Sequence, residues 1–268
     1  MMQTGIATPH DLLGGALPGR IHLITGAPGS GKTSACLHFL REGMRCRERA
    51  ALLTLDRPAD LRSHALHVGI DLKACLRDGR LTVLRYRARF AQRVAELASM
   101  EPMLADLERM MAASDLQQMF GSDVPTRIAI DPVAPFLGDI PTSGALAGLV
   151  DRLDESGITT LLTLNGDVTA TVDRRLEPLI ERAAVILRFR HLVGTRFEID
   201  IVRARHPVAS AGPVAFEIRP GRGFVYSSTD ARREVLPRVA HNDATLLESL
   251  APLVVDVFPP HGDTTPRS

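Results

Sequence analysis

The chain alternates between short apolar runs and longer stretches with helical spacing. Ile21–Thr25 (IHLIT), with Ile21, Leu23 and Ile24 apolar, reads as a short buried strand. Ser34 to Met44 then reads as a helix, with Leu37 and Leu40 at helical spacing. The alternation continues with strand Ala51–Leu55, helix Ala59–Val68, strand Leu81–Leu84 and a long helix over Arg89–Met111. Strand Ile128–Ile130, helix Ala145–Glu155, strand Ile158–Leu164 ending at Asn165, helix Leu176–Ala183 and strand Val185–Phe189 follow. This order predicts an α/β fold, with a mostly parallel sheet covered by helices.

After Val185 the helical pattern stops. Phe197–Ala204, Val214–Ile218 and Phe224–Tyr226 are short strands joined by turns at Ala211-Gly212-Pro213 and Pro220-Gly221, so antiparallel strands are expected to extend the sheet. The resulting division is a main domain over 1–228, an extension over 229–258 and a disordered tail over 259–268. The extension carries an apolar stripe of Leu246, Leu247, Leu250, Leu253 and Val254 at helical spacing.

Composition narrows the function classes. The chain has 268 residues and a formal net charge of +1, which gives no support to strong nonspecific binding of nucleic acid. Aromatic content is 4% and Trp is absent, leaving few platforms for stacking bases. The stretch LRYRARFAQR gathers Arg85, Arg87, Arg89 and Arg93, and solvated arginines at a strand end and helix start account for it. The three cysteines, Cys36, Cys46 and Cys75, lack a CxxC spacing and suggest neither a zinc site nor a disulfide framework. The N-terminus lacks signal-peptide character and no apolar run reaches membrane-span length, so a cytoplasmic protein is expected.

The decisive chemistry lies at residues 26–33, GAPGSGKT, a complete G-x-x-x-x-G-K-[ST] phosphate loop. It sits between a strand and a helix, as the chemistry requires. Glycines let the backbone close around phosphate oxygens, and the helix start adds unpaired N–H donors and the positive end of its dipole. The contact set is Gly26, Ala27, Pro28, Gly29, Ser30, Gly31, Lys32, Thr33 and Ser34. Lys32 would reach the β- and γ-phosphates of a nucleotide, and the Thr33 hydroxyl would ligate Mg²⁺. Only two lysines occur in the chain, Lys32 and Lys73, and one stands where an ammonium is required. A second carboxylate is expected at the end of another buried strand; RIAID, ending in Asp131 before Pro132, supplies it.

With these residues the chain resembles the KaiC-like branch of the RecA superfamily from about Thr4 to Tyr226. The segments come in the family's order: Thr4-Gly5-Ile6, Leu12-Leu13-Gly14-Gly15, Leu17-Pro18-Gly19, then GAPGSGKT, ALLTLDRPADLRSHALHVGIDL, RIAID and RFEIDIVRARHP. The resemblance implies a RecA-like P-loop NTPase that binds ATP and Mg²⁺ and forms homo-oligomers, a hexameric ring being favoured. It assigns Asp131 as the second metal-site acid and Asn165 as a γ-phosphate sensor. Arg203 and Arg205 fall where the family has a Lys-x-Arg pair that reaches a neighbouring subunit's nucleotide. Asp56 falls on the catalytic glutamate that orients water, in a strand expected beside the phosphate-loop strand. Here the sequence departs from the family. Aspartate is shorter than glutamate by one methylene, ~1.5 Å, and Arg57 replaces a second glutamate. The expected function is a slow ATPase whose nucleotide state controls assembly and binding of a protein partner in regulation or signalling. A non-hydrolysing ATP-dependent scaffold and a DNA recombination mediator are the alternatives.

Overall fold

The computed structural model describes residues 17–85, 125–136, 145–168, 173–206 and 212–226. The helix expected over Arg89–Met111, the segment before residue 17 and the extension and tail expected over 229–268 lie outside the described residues.

Strand β1 spans Ile21–Gly26 and all its residues are buried. Helix α1 covers Lys32–Arg45, strand β2 Ala50–Thr54 and helix α2 Pro58–His67. A short helix α3 at Leu72–Arg77 was not expected; the Asp71 carboxylate caps it by accepting from the Ala74 N–H at 3.1 Å. Strands β3 (Leu81–Arg85) and β4 (Arg127–Asp131) follow, then helix α4 (Ala145–Glu155) and strand β5 (Thr159–Asn165). The expected helix Leu176–Ala183 begins as a 3₁₀ turn, Arg174–Leu176, and continues as α5, Glu177–Arg182. Strands β6 (Val185–His191), β7 (Arg196–Ala204), β8 (Val214–Arg219) and β9 (Gly223–Tyr226) complete the sheet.

The strand order is β3-β2-β4-β5-β1-β6-β7-β8-β9. The first six in that row pair in parallel, and β7, β8 and β9 join antiparallel. This is the expected α/β architecture. One expectation about neighbours fails: β2 does not lie beside β1, because β4 and β5 stand between them. Consecutive α/β units need not place their strands side by side.

Residues alternate across the strands into two buried layers, as a sheet covered on both faces requires. Ile24, Leu52, Ala129, Leu161 and Leu187 pack with α1 and α2; Leu23, Ala51, Ile128, Ile130 and Leu162 pack with α4 and α5. The C-terminal ends of the parallel strands therefore emerge together from a rigid apolar slab, where open α/β sheets bind their ligands.

Candidate functional site

The phosphate loop connects the end of β1 to α1. A Cβ on Gly26 would run into the Phe189 carbonyl oxygen, and one on Gly31 would stand 2.8 Å from Ile218 Cδ1. Gly31, at φ 94°, occupies the N-cap of α1 and offers no side-chain cap. The first N–H groups of α1 are thus left without a capping acceptor, unlike those of α3.

Lys32 turns back over this loop. Its Nζ donates to the Gly26 and Ala27 carbonyls, each at 2.8 Å, and to Ser30 Oγ at 3.4 Å. The side chain is 6% exposed. Burial lowers its pKa, and the Asp131 charge opposes that shift.

Asp131 ends β4, in register with Thr54 at the end of β2. It is 7% exposed and accepts a hydrogen bond from the Thr163 hydroxyl of β5. The next free amide, Val133 N–H, donates to the Thr163 carbonyl at 2.8 Å, so β5 fixes the chain on both sides of the cis Asp131–Pro132 bond. Asp56 lies two residues past β2, its N–H donating to Thr54 Oγ1 at 3.1 Å. Burial raises the Asp56 pKa; the Asp131 charge adds to this, and His64 opposes it. Asn165 ends β5 opposite Gly26.

These groups line one cleft of about 500 Å³. Lys32, Thr33, Ser34, Asp56, Asp131 and Asn165 supply polar lining, and Gly194, Thr195, Phe197 and Ile218 of the antiparallel extension line it as well. Although β2 is remote from β1, Asp56 reaches the cleft, because the ends of β2 and β4 are adjacent.

Arg203 and Arg205 lie elsewhere. Both are exposed and both donate to the last turn of α5, Arg203 Nη1 to the Ile180 carbonyl at 2.7 Å and Arg205 Nη2 to the Glu181 carbonyl. They share a face, as their i, i+2 spacing requires, and satisfy helix-end carbonyls. Neither lines the cleft of its own chain.

Two cleft residues escape a motif reading, His64 and His67 of α2. His64 Nε2 and Ser34 Oγ are 2.9 Å apart, within hydrogen-bonding distance. Burial lowers the His64 pKa, against the pull of Asp56 and Asp131. Their i, i+3 spacing put them on one helix face, but only the crossing of α2 over the start of α1 brings that face to the phosphate loop.

The donor set suits Mg²⁺. A threonine hydroxyl and a buried carboxylate are hard oxygen ligands, and Mg²⁺ commonly takes only one or two from the protein. Among the described residues no group of three or more His, Cys, Asp or Glu side chains forms a metal cage.

The family model for the KaiC ATPase matches residues 2–229. The chain belongs to the KaiC ATPase family. It is 29% identical over 227 residues to the circadian clock oscillator protein KaiC of Parathermosynechococcus lividus. That alignment covers 81% of this chain and 40% of the relative, so the chain spans well under half of that KaiC. Among solved structures it is similar to a KaiC-like protein of Pyrococcus horikoshii OT3, with a TM-score of 0.63 and 20% identity. The superposition covers 84% of this chain and 98% of the archaeal one, which supports the RecA-type KaiC fold. Membership of the KaiC family makes this an ATP-binding protein of RecA type.

Proposed function

We propose that the chain binds ATP with Mg²⁺ in this cleft and hydrolyses it slowly, and that its nucleotide state controls assembly into a ring and the binding of a protein partner. The backbone N–H groups of the loop and helix start over residues 26–34, Pro28 excepted because it has none, hold the phosphates. Lys32 exchanges the Gly26 and Ala27 carbonyls for β- and γ-phosphate oxygens. Thr33 and Asp131 hold Mg²⁺, which neutralises phosphate charge when bound. Asn165 contacts the γ-phosphate from the end of β5.

Asp56 orients the attacking water. The water oxygen bonds to the γ-phosphorus as the bond to the β–γ bridging oxygen breaks, and ADP leaves with that electron pair. The water proton passes to Asp56 and then to solvent. Arg203 and Arg205 act on the nucleotide of a neighbouring subunit, which requires them to leave the α5 carbonyls. The observation that carries this reading is Lys32 itself: a buried ammonium resting on carbonyls of its own loop, beside Asp131 and an uncapped helix.

A second reading, ATP-dependent assembly without hydrolysis, is favoured by the short Asp56 arm and the burial that disfavours its charged form. Molar mass and phosphate release, each with and without ATP and Mg²⁺, separate the two. Lys32→Ala abolishes ATP binding and any ATP-driven change in mass. Asp56→Glu raises turnover if Asp56 orients the water. Wild type that binds ATP no better than Lys32→Ala overturns both readings.

A further inference from the structure

His64 bonds the first turn of α1 through Ser34 and lines the same cleft as Asp56, whose charge it feels. Its Nε2 is engaged by Ser34 at 2.9 Å, and among the described residues Nδ1 has no hydrogen-bond partner. An imidazole held by one nitrogen at the rim of a polar cleft presents the other to whatever occupies that cleft. On the Asp56 side, the carboxylate arm is one methylene short of the glutamate that the resemblance places there.

Resting on the ATPase reading above, we propose that His64 is a second catalytic contact to the attacking water, so that Asp56 and His64 together hold a molecule that Asp56 alone is too short to hold. In this arrangement Nε2–H donates to Ser34 Oγ, and Nδ1 accepts one hydrogen bond from the water. The other water hydrogen points to Asp56, which takes the proton as the oxygen bonds to phosphorus. Ser34 is a positioning residue: it acts only by fixing the ring. Burial favours the neutral imidazole that this arrangement needs, although both acids pull toward the charged form.

The test uses the full chain, with single-turnover phosphate release and separate titration of ATP-Mg²⁺ binding. His64→Ala lowers the rate about thirtyfold, less than the ~10²–10⁴-fold of a group that itself takes the proton, because Asp56 takes it, and leaves ATP affinity within about twofold. His64→Asn, whose amide oxygen occupies roughly the Nδ1 position, recovers at least about tenfold over alanine. His64→Gln reaches toward Ser34 instead and does not recover it. Ser34→Ala slows release about threefold and adds nothing on top of His64→Ala, because the two act as one unit. In the His64→Ala background, Asp56→Glu restores part of the rate by lengthening the arm.

A thermal melt of each variant accompanies these measurements. Loss of rate and affinity in parallel, with a lowered melting temperature, overturns the proposal in favour of a structural role. Equal recovery by Asn and Gln overturns the assignment of Nδ1. Wild type that binds ATP and releases no phosphate overturns this inference and leaves ATP binding standing. Wild type that binds no better than Lys32→Ala removes the ATP reading itself.

Discussion

The two ends of strand β4 carry opposite charges and opposite histories of satisfaction. At its start, Arg127 is fully buried, paired through Nε and Nη2 with Glu48, and donates from Nη1 to the Phe39 carbonyl at 3.2 Å. Its guanidinium carbon also lies 5.0 Å from the Phe39 ring centroid. At its end, Asp131 is nearly as buried, yet among the described residues its hydrogen-bond donor is a single threonine hydroxyl and no ion pair reaches it. The five residues RIAID thus hold one charge completed by the protein and one left for something else. Buried charges are costly unless paired, so an incompletely paired one at the ligand-binding edge of a parallel sheet is the candidate for a ligand contact.

Breaking the completed end has the largest expected effect. Arg127→Ala leaves Glu48 and the Phe39 carbonyl without their partner and opens a cavity, costing about 3–5 kcal/mol. Urea unfolding measures this, and Arg127→Met, which keeps most of the volume, costs less.

Acid tests the same contrast through groups that folding keeps neutral. Burial lowers the pKa of His22 and of His38 from 6.5 to about 4. The unfolded chain binds more protons than the folded one in that window. Stability is therefore full above pH 6.5 and falls as pH drops toward 4, by about 3 kcal/mol for each histidine. Unfolding midpoints across this range give the slope, and His22→Gln makes it shallower.

The incomplete end yields the smallest change in folding and the clearest change in binding. Asp131→Asn shifts stability by less than about 1 kcal/mol, since Thr163 keeps an acceptor. It weakens Mg²⁺-dependent ATP binding at least about tenfold, or about 1.4 kcal/mol, by titration calorimetry. A loss of stability as large as that of Arg127→Ala would make Asp131 structural.

Much of this was legible in the chain. Strand and helix periodicity located nearly every described element, because each strand alternates between two apolar layers and the helices are long enough to show a face. Helix α3 was missed because six residues hold too few turns to display periodicity; Asp71, its cap, was the available signal. The phosphate loop and Asp131 were legible because their chemistry is local. Strand order was not, since nothing in Ala50–Thr54 records that β4 and β5 separate it from β1. His64 was illegible as a site residue for the same reason: its partner Ser34 is thirty positions away, and only the packing of α2 on α1 joins them.

The resting posture of Lys32 has an energetic consequence. Folding has already stripped most bulk water from the ammonium and lent it two carbonyl acceptors from the loop. In the proposed reading an arriving polyphosphate trades one set of acceptors for a more negative one, with little dehydration of the amine left to accomplish. The grip is prepared before its guest arrives, and affinity gains from the work that folding has done in advance.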